Sequence, residues 1–195
     1  NPAWVEGTRI FSRGKLKIGV IGIELENTPE LVKAGATAGL KFLPAIDTIR
    51  TESAVLRSLG VQTQIVLIHE GTANGTNAVD GVAPIPWDGP IVTIAEALQD
   101  TSVDVILAGH THRVSNVMVG EILVAEGLNA GASYSVVQMV VNGNDVEWAG
   151  AATRVAKNLG VAKRPDVQAI VDDANAKTAV LRNKVIGTQS IDIKR

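Results

Sequence analysis

Apolar positions along this chain alternate between two periods. "KLKIGVIGIE" (15–24) opens with polar and apolar residues in turn, then becomes almost wholly apolar and β-branched, the pattern of a strand buried on both faces. Thr28 before Pro29 and Glu30 predicts a helix start with the threonine as N-cap and proline at the first helical position. From Pro44 to Leu59 the apolar residues Ile46, Ile49, Leu56 and Leu59 recur at helical spacing, with Gly60 as the stop. "TQIVLIH" (63–69) is a second buried strand, "IVTIAEALQD" (91–100) a helix, and "VDVILAGH" (103–110) a third buried strand. This rhythm, broken only by a Gly, Asn and Pro-rich loop from Gly71 to Pro90, implies right-handed crossovers and a largely parallel sheet with helices packed on it.

Beyond Arg113 the pattern changes. "VSNVMVG", "EILVAEG", "SYSVVQMVV" and "DVEWAGAAT" are short β-rich runs that read as antiparallel hairpins, with Asn142-Gly143-Asn144 a turn. A helical pattern then starts at Arg164-Pro165-Asp166, places Val167, Ile170, Val171, Ala174 and Leu181 on one face, and runs out near Gly187. The fold class is α/β: a parallel or mixed sheet, then antiparallel hairpins, then a C-terminal helix.

Composition narrows the chemistry. An apolar share of 46% over 195 residues is ample for a core. A net charge of −2 leaves no electrostatic footprint for a nucleic-acid polymer or an anionic membrane. Without cysteine there is no disulfide, no thiolate nucleophile and no Cys-based metal site, so any ion is held by imidazole, carboxylate, amide or water. No apolar run approaches the roughly 20 residues that span a bilayer, and "NPAWVEGTRIFSRG" has no hydrophobic signal-peptide core.

The chain has three histidines, and two of the buried strands end on one. His69 closes the second strand. His110 closes the third, followed at one residue's remove by His112. In open parallel sheets functional groups gather at the carboxyl ends of strands. A His-x-His pair there lets two imidazoles diverge from one turn, while Gly109 keeps the backbone free of bulk. His69, His110 and His112 are the candidate metal ligands.

"IVLIHEG" followed by "VDVILAGHTHR" resembles the calcineurin-like metallophosphoesterases, and more closely their 5'-nucleotidase and 2',3'-cyclic nucleotide phosphodiesterase branch. "KLKIGVIGIELENTPELV" and "VGEILVAEGLNAGASYSVVQMVV" are similar to segments of that family in the same order, and the stretch from Arg164 to Arg195 looks like its helix connecting to a nucleotide-binding domain. The resemblance implies part of a four-layer α/β/β/α metallophosphatase sandwich over residues 1–160 and a connecting helix over 161–195. It implies two divalent ions, with His69 and His110 on one and His112 on the other. Such a centre positions a phosphate and activates water for in-line attack. The implied activity is metal-dependent hydrolysis of nucleotide phosphoesters, at the cell surface, in the periplasm or outside the cell.

The family's Asp-x-His, Gly-Asp-x-x-Asp and Gly-Asn-His-Glu segments do not occur here. The expectation is therefore a fragment whose parent is the enzyme, itself inactive, with no catalytic histidine of its own. It would associate with itself or with the missing half. The alternative is a non-catalytic assembly module on a truncated scaffold. Among the remaining residues, Glu70 reads as a solvated loop carboxylate and Asp104 as a partner for nearby backbone N–H groups. Arg113 could meet a phosphate or form a surface salt bridge. Asn74-Gly75-Thr76 matches a glycosylation acceptor but is first a turn. Trp4, Trp87 and Trp148 are assigned to the core.

Overall fold

The computed structural model describes residues 5–74, 87–157, 160–188 and 190–191. The chain divides into two compact units, Asn1–Ala156 and Lys157–Arg195. Asn74-Gly75-Thr76 lies partly, and Trp4 wholly, outside the described residues.

The first unit is built on a six-stranded mixed sheet in the order β1-β2-β3-β4-β6-β5. Its strands are β1 (Thr8–Arg13), β2 (Leu16–Ile23), β3 (Thr63–Ile68), β4 (Val103–Ala108), β5 (Ser115–Val119) and β6 (Ile122–Glu126). β2, β3, β4 and β6 run parallel, and β1 and β5 are antiparallel edges. β1 is absent from the predicted elements: its residues are almost all exposed, so an edge strand leaves no apolar run to read. The β5–β6 pair is the expected antiparallel hairpin, but it joins the main sheet, with β6 inserted between β4 and β5. All five residues of β6 are buried, as a central strand requires.

Three helices accompany this sheet: α1 (Thr28–Leu31), α2 (Ala45–Ser58) and α3 (Pro90–Ala97). α1 is a single turn capped at Asn27, not at Thr28, whose hydroxyl donates to the Leu25 carbonyl at 2.6 Å. α2 lies where its period predicts. It ends in a Schellman motif, with Val61 N–H on Leu56 O and Gly60 N–H on Arg57 O, both at 3.0 Å, and Gly60 at φ 75°. Ile49 and Leu56 of α2 and Ile91, Ile94 and Ala95 of α3 pack with Ile21, Val66, Ile106 and Val124 of the sheet, which forms the core on one face.

Over part of the other face lies a two-stranded antiparallel sheet, β7 (Ser133–Asn142) with β8 (Asp145–Val155), turning at Gly143 as predicted. The Thr63 hydroxyl donates to Asn144 O, and Asn116 Nδ2 to Ala151 O, which ties this hairpin to the main sheet. Trp87 packs against the core, whereas Trp148 on β8 is half exposed, contrary to its assignment.

In the second unit, α4 (Pro165–Arg182) begins where the pattern placed it and carries no buried residue. Arg164 grips Asp166 with two nitrogens, and Lys177 pairs with Asp173 one turn away. The predicted apolar face, including Ile170 and Leu181, is exposed.

Candidate metal centre

Parallel pairing of β3 with β4 places their carboxyl ends side by side. His69 follows the end of β3, and His110 and His112 lie in the turn after β4. The His69 and His110 rings stand 5.1 Å apart between centroids, tilted by 60°. All three imidazoles line one cleft of about 500 Å³, shared with Asn129, Ser133, Tyr134 and Ser135 from the approach to β7 and its start. His69 and His112 are exposed and His110 is half-buried, so the rings are open to solvent.

The turn itself is unusual backbone. His110 has φ 71° and His112 has φ 58°, both left-handed, with Thr111 between them. For a residue bearing a Cβ this costs on the order of 1 kcal/mol each. Such conformations persist only where surrounding contacts over-determine them. Here the Gly109 N–H donates to Glu70 O at 3.0 Å, and the Thr111 N–H to Gly109 O at 2.8 Å.

Two residues that the sequence pattern did not single out complete this support. Gly71, two residues after His69, is buried so closely that a Cβ there would lie 2.4 Å from both Gly109 O and Thr111 Oγ1. Glu126, ending β6, is 1% exposed and accepts from the Thr111 hydroxyl at 2.8 Å and from Thr72 N–H at 3.2 Å. Burial pushes its carboxyl pKa up, against the pull of the hydrogen bonds from Thr111, Thr72 and Arg113. A charged residue closing the all-apolar run "ILVAE" is the sequence signal that marks it.

The other candidates fall elsewhere. Glu70 bonds the N–H of Gly71 with its own carboxylate at 2.9 Å and lines a separate cleft of about 460 Å³ with Glu24, Glu26 and Asp47. Asp104 accepts from Gln64 N–H at 2.8 Å, the backbone partnership anticipated for it. Arg113 donates its backbone N–H to Glu126.

Imidazole suits a range of divalent transition ions. His69 and His110 are close enough to share one, and His112 opens on the same cleft. Among the described residues, however, no three His, Asp or Glu side chains converge into a set that could hold an ion. Among the described residues, then, three imidazoles share one cleft and no carboxylate joins them there.

No family model matches the chain. It is similar to the cell wall protein Lmo0130 of Listeria monocytogenes, at 28% identity over 183 residues, covering 91% of this chain and 23% of that protein. Among solved structures it resembles the sulfate thiohydrolase SoxB of Thermus thermophilus, with a TM-score of 0.67 and 20% identity over 93% of this chain and 30% of that one. A 5'-nucleotidase precursor, also from Thermus thermophilus, gives 0.66 at 15% identity, over 93% and 36%. The calcineurin-like phosphoesterase YfkN of Bacillus subtilis gives 0.63 at 13% identity, over 91% and 59%. The chain therefore spans less than two thirds of each of these proteins.

Proposed function

We propose that this chain, which has the fold of the calcineurin-like phosphoesterases of the 5'-nucleotidase kind, carries the histidine part of a divalent-metal site for hydrolysing nucleotide phosphoesters. One observation carries the reading: His69, His110 and His112 reach a single cleft from the ends of two adjacent parallel strands. His69 and His110 would hold one ion and His112 the other. A bound divalent pair polarises phosphoryl oxygens and makes water nucleophilic near neutral pH. The chain's own contribution is to present imidazole nitrogens and to fix their direction through the turn at Gly109.

Three imidazoles bring no negative charge to offset two close dications, and among the described residues no carboxylate joins them, so in this reading another part of the protein supplies the carboxylate ligands. The isolated chain is accordingly inactive. With Mn²⁺ added and contaminants excluded, it should leave bis-p-nitrophenyl phosphate intact. Hydrolysis that scales with Mn²⁺ would overturn this. The similarity to a cell wall protein supports a secreted or cell-surface setting for the parent, and no described helix is long and apolar enough to cross a membrane.

The ligand assignment is tested by titrating the chain with Co²⁺ or Mn²⁺. His110→Ala and His112→Ala should each weaken binding at least about ten-fold, the effect of losing one of few ligands. Unchanged binding in both would remove the assignment, and no binding by the parent chain would favour a non-catalytic assembly role.

A further inference from the structure

We infer that Glu126 is the positioning residue that locks the two histidine-bearing loops to each other, through a carboxylate whose oxygens take donors from both; the inference rests on the reading of the cleft as a histidine site. Oε1 receives the Thr111 hydroxyl at 2.8 Å and the Arg113 N–H at 3.4 Å, both from the loop after β4. Oε2 receives the Thr72 N–H at 3.2 Å and the Thr72 hydroxyl at 3.4 Å, both from the loop after β3. A carboxylate has about four lone-pair sites. Four donors converge on this one, and each oxygen serves one loop.

The placement explains how the turn keeps its backbone. Thr111 stands between His110 and His112, the two left-handed residues, and its side chain points at Glu126 Oε1. Arg113 follows directly. The clamp thus grips the turn between the two candidate ligands and immediately after the second, while leaving both imidazoles on the cleft. Gly71 makes the close approach possible, since a Cβ there would come 2.7 Å from Glu126 Oε2 as well as striking Gly109 O and Thr111 Oγ1. With Glu126 and Thr72 both sealed from solvent, at 1% and 0% exposure, water has no access to replace these bonds while the fold is closed.

Substituting glutamine separates charge from shape. Whichever way its amide turns, one side keeps an acceptor and the other presents NH₂ to a backbone N–H, of Thr72 or of Arg113, donor against donor. Alanine removes the clamp altogether.

The test uses the full 195-residue chain without metal. Imidazole ¹⁵N–¹H correlation spectra report the histidine rings, and amide exchange reports the loops. Glu126→Ala should shift the His110 and His112 ring signals and speed exchange at the Thr72 and Arg113 amides at least ten-fold, with the Val66 and Ile106 amides of β3 and β4 unchanged. Glu126→Gln should speed exchange at one of the Thr72 and Arg113 amides and spare the other, since its amide keeps an acceptor on one side only. Ring signals identical to those of the parent in a folded Glu126→Ala chain would overturn the inference. If that variant does not fold, Thr111→Val removes one bond of the clamp at a half-buried residue and must give the same ring shifts. A Co²⁺ titration of the same proteins keeps the two ideas apart. Failure of the parent chain to bind Co²⁺ would defeat the metal-site reading, while the metal-free ring signals would still decide the role of Glu126.

Discussion

At the scale of single residues, the turn after β4 trades stability for direction. His110 holds a left-handed backbone that glycine adopts without penalty. His110→Gly should therefore leave the chain as stable or up to about 1 kcal/mol more stable in urea unfolding, while losing metal binding. A clear loss of stability would show that the ring, not the backbone, dominates there. Gly71→Ala should act in the opposite sense. Its Cβ would press on backbone and on Thr111 at 2.4 Å, where nothing flexible can retreat, so a loss of roughly 2–4 kcal/mol in urea unfolding is expected. The histidines were legible in the sequence because imidazoles ending apolar strands break a strong pattern. Glu126 left a trace, a charge closing the apolar run "ILVAE", but its role and that of Gly71 were not legible, because both arise from contact between residues far apart in the chain, which no local period encodes.

At the scale of elements, the β3–β4 ladder carries an irregularity with a chemical consequence. Gln64 pairs with Val103 and Ile65 with Val105, so Asp104 is the extra residue of a bulge. Its carboxylate takes the Gln64 N–H, and burial raises its pKa to about 6, with Asp145 adding repulsion and the Gln64 bond opposing. The folded chain then keeps a proton on Asp104 at pH values where the unfolded chain, titrating near 4, has released it. Stability from this group is thus greatest at low pH, falls as pH rises through the window from about 4 to 6, and is level above it. Because the group is only half-buried, about 1–2 kcal/mol is expected after solvent screening. Asp104→Asn, which keeps an acceptor for Gln64, should flatten that slope relative to the parent chain in urea midpoints measured from pH 4 to pH 7. The same slope in both proteins would refute the assignment. The β5–β6 hairpin was legible, but its place in the main sheet was decided by the fold. "ILVAE" is buried throughout and "SNVMV" only in part, the marks of a central and an edge strand.

At the scale of the whole molecule, the main sheet has one closed face and one partly open. Ile21 and Val66 point to the helices, whereas their neighbours Val20, Ile65 and Leu67 point the other way, along with Ile18 and Phe11 of the paired register. Phe11 is 50% and Leu67 45% exposed. An apolar strip of this kind favours association. Sedimentation equilibrium should give masses above the 20.4 kDa of the chain, and Phe11→Lys with Leu67→Lys should restore the monomer. A compact monomer for the parent chain would count against this.

By itself the sequence determined the parallel βαβ core, the positions of α2, α3 and α4, the tight turn at Gly143 and the three histidines at strand ends. These are written in short-range periods and in residues whose backbone or chemistry is distinctive. Tertiary structure decided the rest: β1 as an exposed edge, β6 inside the sheet, two histidines on left-handed backbone, and a buried carboxylate binding the two loops together. Each of these depends on which distant segments meet, and there it is burial and hydrogen-bond satisfaction in three dimensions that select the outcome.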